Sequence, residues 1–532
     1  MPTLRTVAGA TAVALVLSAA GISPGVAASP SVLGAEGIGD PYFPTYGNGG
    51  YSASHYDIND TFTPASGVLS GTTIITARAT ESLSAFDLDF VLATQSVTVN
   101  GEPATFGQFK VTKPAGTTGG ELVVTPAHGI PQGTSMTIVV TYQDHPANVT
   151  VGGYSPWQTT PTGALIPSEP ESAAWWYPSN DHPLDKATFD ISVTSPSALS
   201  AISNGVLVGK SSQGANTTWH WRENLPMATY LAFMAVGDYT VTSTVTASGL
   251  PFVTAIEGAR STAKQRTAAT NAATDLARTP EIVDWLATQW GPYPFDAIGG
   301  VAPNSAYGDG NALENQTRPT YPSNAWQKGS DLMTVVHENA HQWFGDSVSV
   351  SDWSGIWLNE GFATFSEWLW TEQHGGPTAQ QQFDQYFNQY PAQNAFWKVP
   401  IGNPGVAKLF ADPIYFRGAM TLQALRNRVG NATFYQIMRS WASGHAYSNA
   451  CIGQFEALAA QLSGQNLDQF FQTWLRDTSR PAASTANGIP KTSRSTIRPV
   501  LSTPPMPAST AVLPTATMSP TTAKVSAACP AG

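Results

Sequence analysis

The sequence predicts a multidomain α+β protein. An all-β domain, saddle-like or sandwich-like, is expected over residues 45–248, a mainly α domain with some β over 249–480, and a disordered tail over 481–532. Three observations lead there. At 532 residues the chain is too long for one compact core, and a prior of about 150 residues per domain suggests roughly three units. Near residue 260 the texture changes from short alternating apolar runs to apolar residues at helical spacing. Hydrophobic residues make up 42% and charged residues 11%, with Gly 47 and Pro 40, which fits a globular body rich in strands and turns better than a helical bundle.

The N-terminus carries Arg5, an apolar run from about Val7 to Ile22, and small residues ending VAA (26–28) before Ser29. This pattern predicts a signal peptide over residues 1–28, cut after Ala28, and hence a secreted protein. The run is diluted by Ala and Gly and followed by Pro24, which argues against a retained anchor. No second apolar stretch of about 20 residues follows, so no stable membrane association is expected.

In the first domain TTIITARA (72–79), ELVVTP (121–126), SMTIVVTY (135–142) and TFDISVTS (188–195) alternate apolar with polar residues between Gly, Pro and Asn clusters, the mark of half-buried strands. In the second, an Ala-rich helical stretch near 260 ends at Gly291, and helices are predicted within 331–344, 361–373, 417–430 and 468–477. After Arg480 the chain is rich in Pro, Ser, Thr and Ala without periodicity, which predicts disorder. Its LPTAT (513–517) lacks the Gly, the apolar segment and the basic tail of a cell-wall sorting signal and reads as linker.

The net charge of -11 and the sparse basic grouping at 491–498 exclude nucleic acid as a natural partner and favour amine-bearing ligands. Cys451 and Cys529 are the two cysteines; in an exported chain they could pair, and two thiols cannot close a metal site. Oligomeric state is not legible.

The stretch HENAHQWFGDSVSVSDWSGIWLNEGFA (337–363) carries the chemistry. On a helix His337 and His341 lie one turn apart on one face and present two imidazoles to one point. Glu338 sits about 100° round that helix, within reach of a water held there. Eighteen residues separate His341 from Glu360, room for the chain to fold back and add a carboxylate. Three protein ligands leave zinc one open position, the catalytic pattern, with Glu338 as general base and acid in peptide hydrolysis. A bare H-E-x-x-H also arises by chance; the NEGFA on a second helix argues against chance here.

HENAHQWFGDSVSV…WLNEGFATF resembles the aminopeptidase N family of zinc metallopeptidases, the M1-type gluzincins. The resemblance implies a thermolysin-like catalytic domain and one zinc per chain, held by His337, His341 and Glu360. NALENQTRPTY (311–321) is similar to the family's G-A-M-E-N edge strand, so Asn311 and Ala312 are implied to meet the substrate backbone and Glu314 its free α-amine. DPIYFRGA (412–419) is similar to the Tyr-x-Lys-Gly-Ala segment, which implies that Tyr415 stabilises the oxyanion. IPSEPESAAWWYPSNDHPLDKATF (166–189) resembles the stretch whose Gln or Glu reaches the site from the β domain, here Glu169. His182, in the same stretch, reads as a turn residue, since the zinc already has three ligands.

Asn311 for the first Gly, Asp346 where Asn is common, and Phe416-Arg417 for x-Lys depart from the pattern. The resemblance ends near Arg480, which implies that the helical domain capping the cleft in many relatives has no counterpart and that access is more open. The expected function is removal of N-terminal residues from peptides with a free amine. The rivals are a zinc endopeptidase, an epoxide hydrolase of the same fold, and an inactive binding module.

Overall fold

The computed structural model describes residues 31–112, 118–167, 169–258, 262–305, 312–322 and 324–490. The expected signal peptide, the chain beyond 490, Asn311 and Cys529 lie outside the described residues.

Eight strands build the main sheet of the first domain: β1 (Tyr51–Thr63), β2 (Val68–Ala79), β3 (Thr94–Val99), β4 (Glu102–Pro103), β5 (Ser135–Asp144), β6 (Ala187–Pro196), β7 (Val206–Gln213) and β8 (Asn216–Met227). Their order is β7-β8-β6-β1-β2-β5-β3-β4, antiparallel throughout except for β6 on β1. Alternation fixes the register: Phe189, Ile191 and Val193 of β6 and Met136, Ile138, Val140 and Tyr142 of β5 point into the core, and a one-residue slip would turn each set to solvent.

A buried carboxylate interrupts the apolar face of β1. Asp60 on β1 is buried opposite Gly71 on β2, where any Cβ would lie 1.8 Å from its Oδ1. Across that gap Tyr142 Oη donates to Asp60 Oδ1 at 2.7 Å. Burial pushes the Asp60 carboxyl up to about 8, against the lowering effect of the Tyr142 hydrogen bond. The folded state therefore keeps this proton up to about pH 8, while the unfolded chain releases it near its ordinary 3.8, so stability falls as pH rises through that window. At about 1.4 kcal/mol per unit this sets an upper bound of about 6 kcal/mol. Asp60→Asn removes the charge, and its melting temperature should fall less between pH 5 and pH 8 than that of the parent protein. Parallel melting curves across that range would overturn the assignment.

The second domain opens with a three-stranded sheet, β9 (Tyr239–Val245), β10 (Pro251–Glu257) and β11 (Ile298–Ala302), β10 lying between the other two. Helices follow: α1 (Ala263–Leu276), α2 (Thr279–Trp290), α3 (Leu332–His341), α4 (Trp357–Gln373), α5 (Ala379–Gln389), α6 (Asp412–Val429), α7 (Asn431–Gly444) and α8 (Ile452–Ser463). Their ends carry local signals. Thr262 and Gln265 form a capping box on α1, Gly291 at φ 111 stops α2, and Gly430 at φ 84 stops α6. The helix expected over 331–344 ends at His341, because the chain reverses through Gly345 at φ 134. A Cβ at Gly345 would lie 3.2 Å from His341 Nδ1.

α4 and α6 cross with almost no separation. A Cβ on Gly361 would lie 2.8 Å from the Gly418 Cα, and one on Gly418 would lie 2.7 Å from the Gly361 Cα. The pair of glycines lets the two backbones touch.

The structure moves the expected limits of the body. The Gly- and Pro-rich stretch before residue 45 reads as loop, yet Phe43 is fully buried and the Asp40 carboxylate accepts from Tyr42, Phe43 and Trp353 N–H groups and from His182 Nε2–H. A boundary at 248 falls inside the β9–β10 hairpin, whose β10 also pairs with β11. Packing continues past Arg480: Ile489 is 1% exposed and the Trp474 indole N–H donates to the Asn487 carbonyl at 3.0 Å. A composition rich in Ala, Ser and Thr concealed that turn, because its anchors come from distant helices.

Candidate metal centre and active site

α3 sets the His337 and His341 rings 4.7 Å apart between centroids. α4, returning after the buried Trp353 turn, brings Glu360 in its first turn against them. Glu360 Oε2 lies 3.1 Å from His337 Nε2 and 3.4 Å from His341 Nε2. Ligand atoms of the three residues all lie within 4.8 Å of one another.

The far nitrogen of each ring is already engaged. His337 Nδ1–H donates to Glu367 Oε1 at 2.6 Å, and His341 Nδ1–H to the Phe344 carbonyl at 3.0 Å. Those bonds select the tautomer in which both Nε2 lone pairs face the Glu360 oxygen. Two imidazole nitrogens and one carboxylate oxygen converging on a point fit a catalytic zinc ion.

Glu338 is buried beside the cluster, and Glu314, Glu338 and His341 form a second group with ligand atoms within 4.8 Å. Burial, aided by Glu314 and Glu360, pushes Glu338 up to about 8 against the charges of His337 and His341. Tyr415, near the start of α6, places its ring 6.0 Å from that of His337 at 29°. Burial, then the charges of Glu360, Glu169, Glu314 and Glu338, hold its phenol well above the ordinary range, so it remains a donor.

Leu313 bridges Thr320 in both directions, at 2.9 and 2.8 Å, and Thr320 in turn bridges Val301 of β11. Strand alternation then turns the backbone groups of Ala312 to the outer edge of this small sheet. Glu314 is 3% exposed and accepts from Tyr230 Oη at 3.2 Å. Glu169 reaches in from the β domain; its Oε1 is closed off from solvent and has no hydrogen-bond partner among the described residues. Burial first, then Glu314, Glu360, Glu338 and Asp346, push Glu169 well above the usual carboxylate range.

His182 is a satisfied residue of the domain interface, its Nε2–H on Asp40 and its Nδ1 accepting from Leu184 N–H. Asp346 is pushed well above the carboxylate range by burial and by Glu314, while Lys186 opposes this. Arg417 turns away from the site: its guanidinium donates to the carbonyls of Trp397, Val399, Thr473, Trp474 and Asp477. It is a structural collar rather than a substrate contact.

Sequence reasoning missed Glu367, Tyr230, Gln342 and the Gly361–Gly418 contact. Glu367 had a signal, since it stands seven residues after Glu360, two turns further along one face of α4. The others have long-range partners that no local pattern marks.

A β domain joined to a helical domain whose H-E-x-x-H helix and downstream glutamate converge on one metal point is the architecture of a gluzincin metallopeptidase. Residues 52–231 match the peptidase M1 N-terminal domain and residues 314–474 the peptidase family M1 domain; the chain belongs to peptidase family M1. It is similar to aminopeptidase M1-B of Oryza sativa subsp. japonica, 29% identical over 343 residues, which cover 60% of this chain and 37% of that protein. The chain thus spans well under half the length of the curated relatives it matches. Among solved structures, the M1 zinc metallopeptidase of Deinococcus radiodurans superposes with a TM-score of 0.71 at 25% identity over 84% of this chain and 98% of that one. A mutant of that protein has been solved bound to a Tyr-ser-ala substrate. Yeast LTA4 hydrolase shares the fold, with a TM-score of 0.64 at 18% identity over 80% of this chain and 68% of that one.

Proposed function

We propose that this chain is a zinc-dependent aminopeptidase that removes N-terminal residues from peptides with a free α-amine. The observation that carries the reading is a pair of carboxylates beside the metal ligands, Glu314, which is buried, and Glu169, whose Oε1 is closed off without a donor among the described residues. Enclosed acids with no Lys or Arg paired to them among the described residues are matched by a substrate ammonium.

His337, His341 and Glu360 hold the zinc, which when bound supplies Lewis-acid polarisation of the scissile carbonyl and a lowered water pKa. Glu338 accepts the proton of the attacking water and returns it to the leaving amine nitrogen. The Tyr415 phenol donates to the oxygen on which negative charge develops. Ala312 pairs with the backbone of the bound peptide, and Glu314 with Glu169 fixes its N-terminus, so the cleaved bond is the first one.

Export is part of the proposal. It rests on the N-terminal pattern ending at Ala28. No helix of the described residues is long and apolar enough to cross a membrane.

The test is a matched set of aminoacyl and peptide amides, free and N-acetylated, assayed with and without a chelator and after zinc is restored. Hydrolysis confined to free amines, lost with chelator and recovered with zinc, is the expected result. Cleavage of acetylated peptides would instead make the protein an endopeptidase, and no cleavage at all by zinc-loaded protein a binding module.

A further inference from the structure

We propose that Tyr230 and Gln342 are positioning residues that clamp Glu314 to the metal-binding helix and so set the preference for free over absent α-amines; the proposal rests on the amine-binding role of Glu314. Glu314 is an enclosed acid among like charges, and Glu360 adds to the burial that raises its carboxyl while His341 opposes it. Repulsion of that kind favours a rotamer aimed elsewhere, so the observed orientation needs a donor.

Tyr230 supplies it. Its phenol donates to Glu314 Oε1 at 3.2 Å, and its ring is wedged edge-on against Trp353 with centroids 5.3 Å apart. Burial, then the charges of Glu314 and Glu169, hold that phenol far above the ordinary range, so the O–H persists at every working pH. The neighbouring residues repeat the contact through the backbone: Asn315 Nδ2 donates to the Leu231 carbonyl at 3.0 Å. The turn Thr229–Leu231 of the β domain thus holds both members of the Glu314-Asn315 pair.

Gln342 holds the other side. Its Nε2 donates to the Glu314 carbonyl at 3.0 Å, and its Oε1 accepts from Thr317 N–H at 2.7 Å. Thr317 has φ 65, a left-handed conformation that a β-branched residue adopts at a cost, so this turn depends on outside support. Gln342 directly follows the ligand His341, so one turn of chain fixes both the metal and the carboxylate that receives the amine. The spacing between amine site and scissile bond is built into a single rigid unit.

The test compares Tyr230→Phe, Glu314→Gln and the double variant on aminoacyl amides and on their des-amino analogues. Tyr230→Phe removes one O–H and leaves the packing intact. It should raise KM for the free-amine substrate about tenfold, the equivalent of one hydrogen bond to a charged group, and lower the preference over the des-amino analogue by the same factor. Its kcat and zinc content should stay within about twofold of the parent, and its effect should vanish in the Glu314→Gln background. If Glu314→Gln removes the preference and Tyr230→Phe leaves it intact, the clamp falls and the functional reading stands. If Glu314→Gln itself leaves the preference intact, the amine reading falls and the clamp with it. A loss of zinc and kcat together in Tyr230→Phe would assign the residue a merely structural role.

Discussion

Glu338→Gln should lower kcat about a thousandfold on any free-amine substrate while leaving bound zinc and melting temperature at parental values. Gln keeps the size of the side chain and one acceptor oxygen but cannot take up a proton, and general acid–base catalysis is worth roughly 10²–10⁴ in rate. The separation of effects follows from the geometry. Glu338 sits on the ligand helix, but the convergent atoms come from His337, His341 and Glu360, and both rings are oriented by Glu367 and the Phe344 carbonyl. A kcat reduced less than tenfold would place the proton acceptor elsewhere. Zinc lost along with activity would show that Glu338 maintains the ligand helix.

The second large effect is expected far from any proton. Gly418→Ala puts a methyl group 2.7 Å from the Gly361 Cα, where the obstacle is backbone and no side chain can swing aside. α4 and α6 must then part, and they carry Glu360 and Tyr415, the proposed third ligand and the proposed oxyanion donor. Overpacking of this kind costs about 1–3 kcal/mol, and a displacement of about 1 Å at a reacting centre costs about a hundredfold in rate. The variant should melt several degrees lower, lose zinc on dialysis faster than the parent, and turn over more slowly by one to two orders of magnitude. Parental melting, zinc retention and kcat in Gly418→Ala would show that the close crossing does not set the site.

The metal site was legible because its chemistry is local: two histidines one helical turn apart and a glutamate within one fold-back are patterns of spacing. The strands were legible for the same reason, since β5 and β6 alternate residue by residue. The parts that did not show are those defined by pairs distant in sequence. Tyr230 is 84 residues from Glu314, and the glycines that meet between α4 and α6 lie on separate helices. Domain limits were missed where buried aromatic residues, such as Phe43, or single anchors, such as Ile489, sit in sequence of loop-like composition.

The Arg417 collar bears on how long such an enzyme survives among proteases. Three of its five acceptors, the carbonyls of Thr473, Trp474 and Asp477, belong to the last helical turn and the residue after it. Trimming from the C-terminal side takes away the buried Ile489 and the Asn487 carbonyl first, and then reaches that turn. Past it, a buried guanidinium loses most of its partners two residues from Tyr415, and the helix that carries Tyr415 loses its footing. Ageing by trimming would therefore proceed in steps, the loss of the Ile489 packing first and the loss of the Asp477, Trp474 and Thr473 carbonyls from Arg417 last.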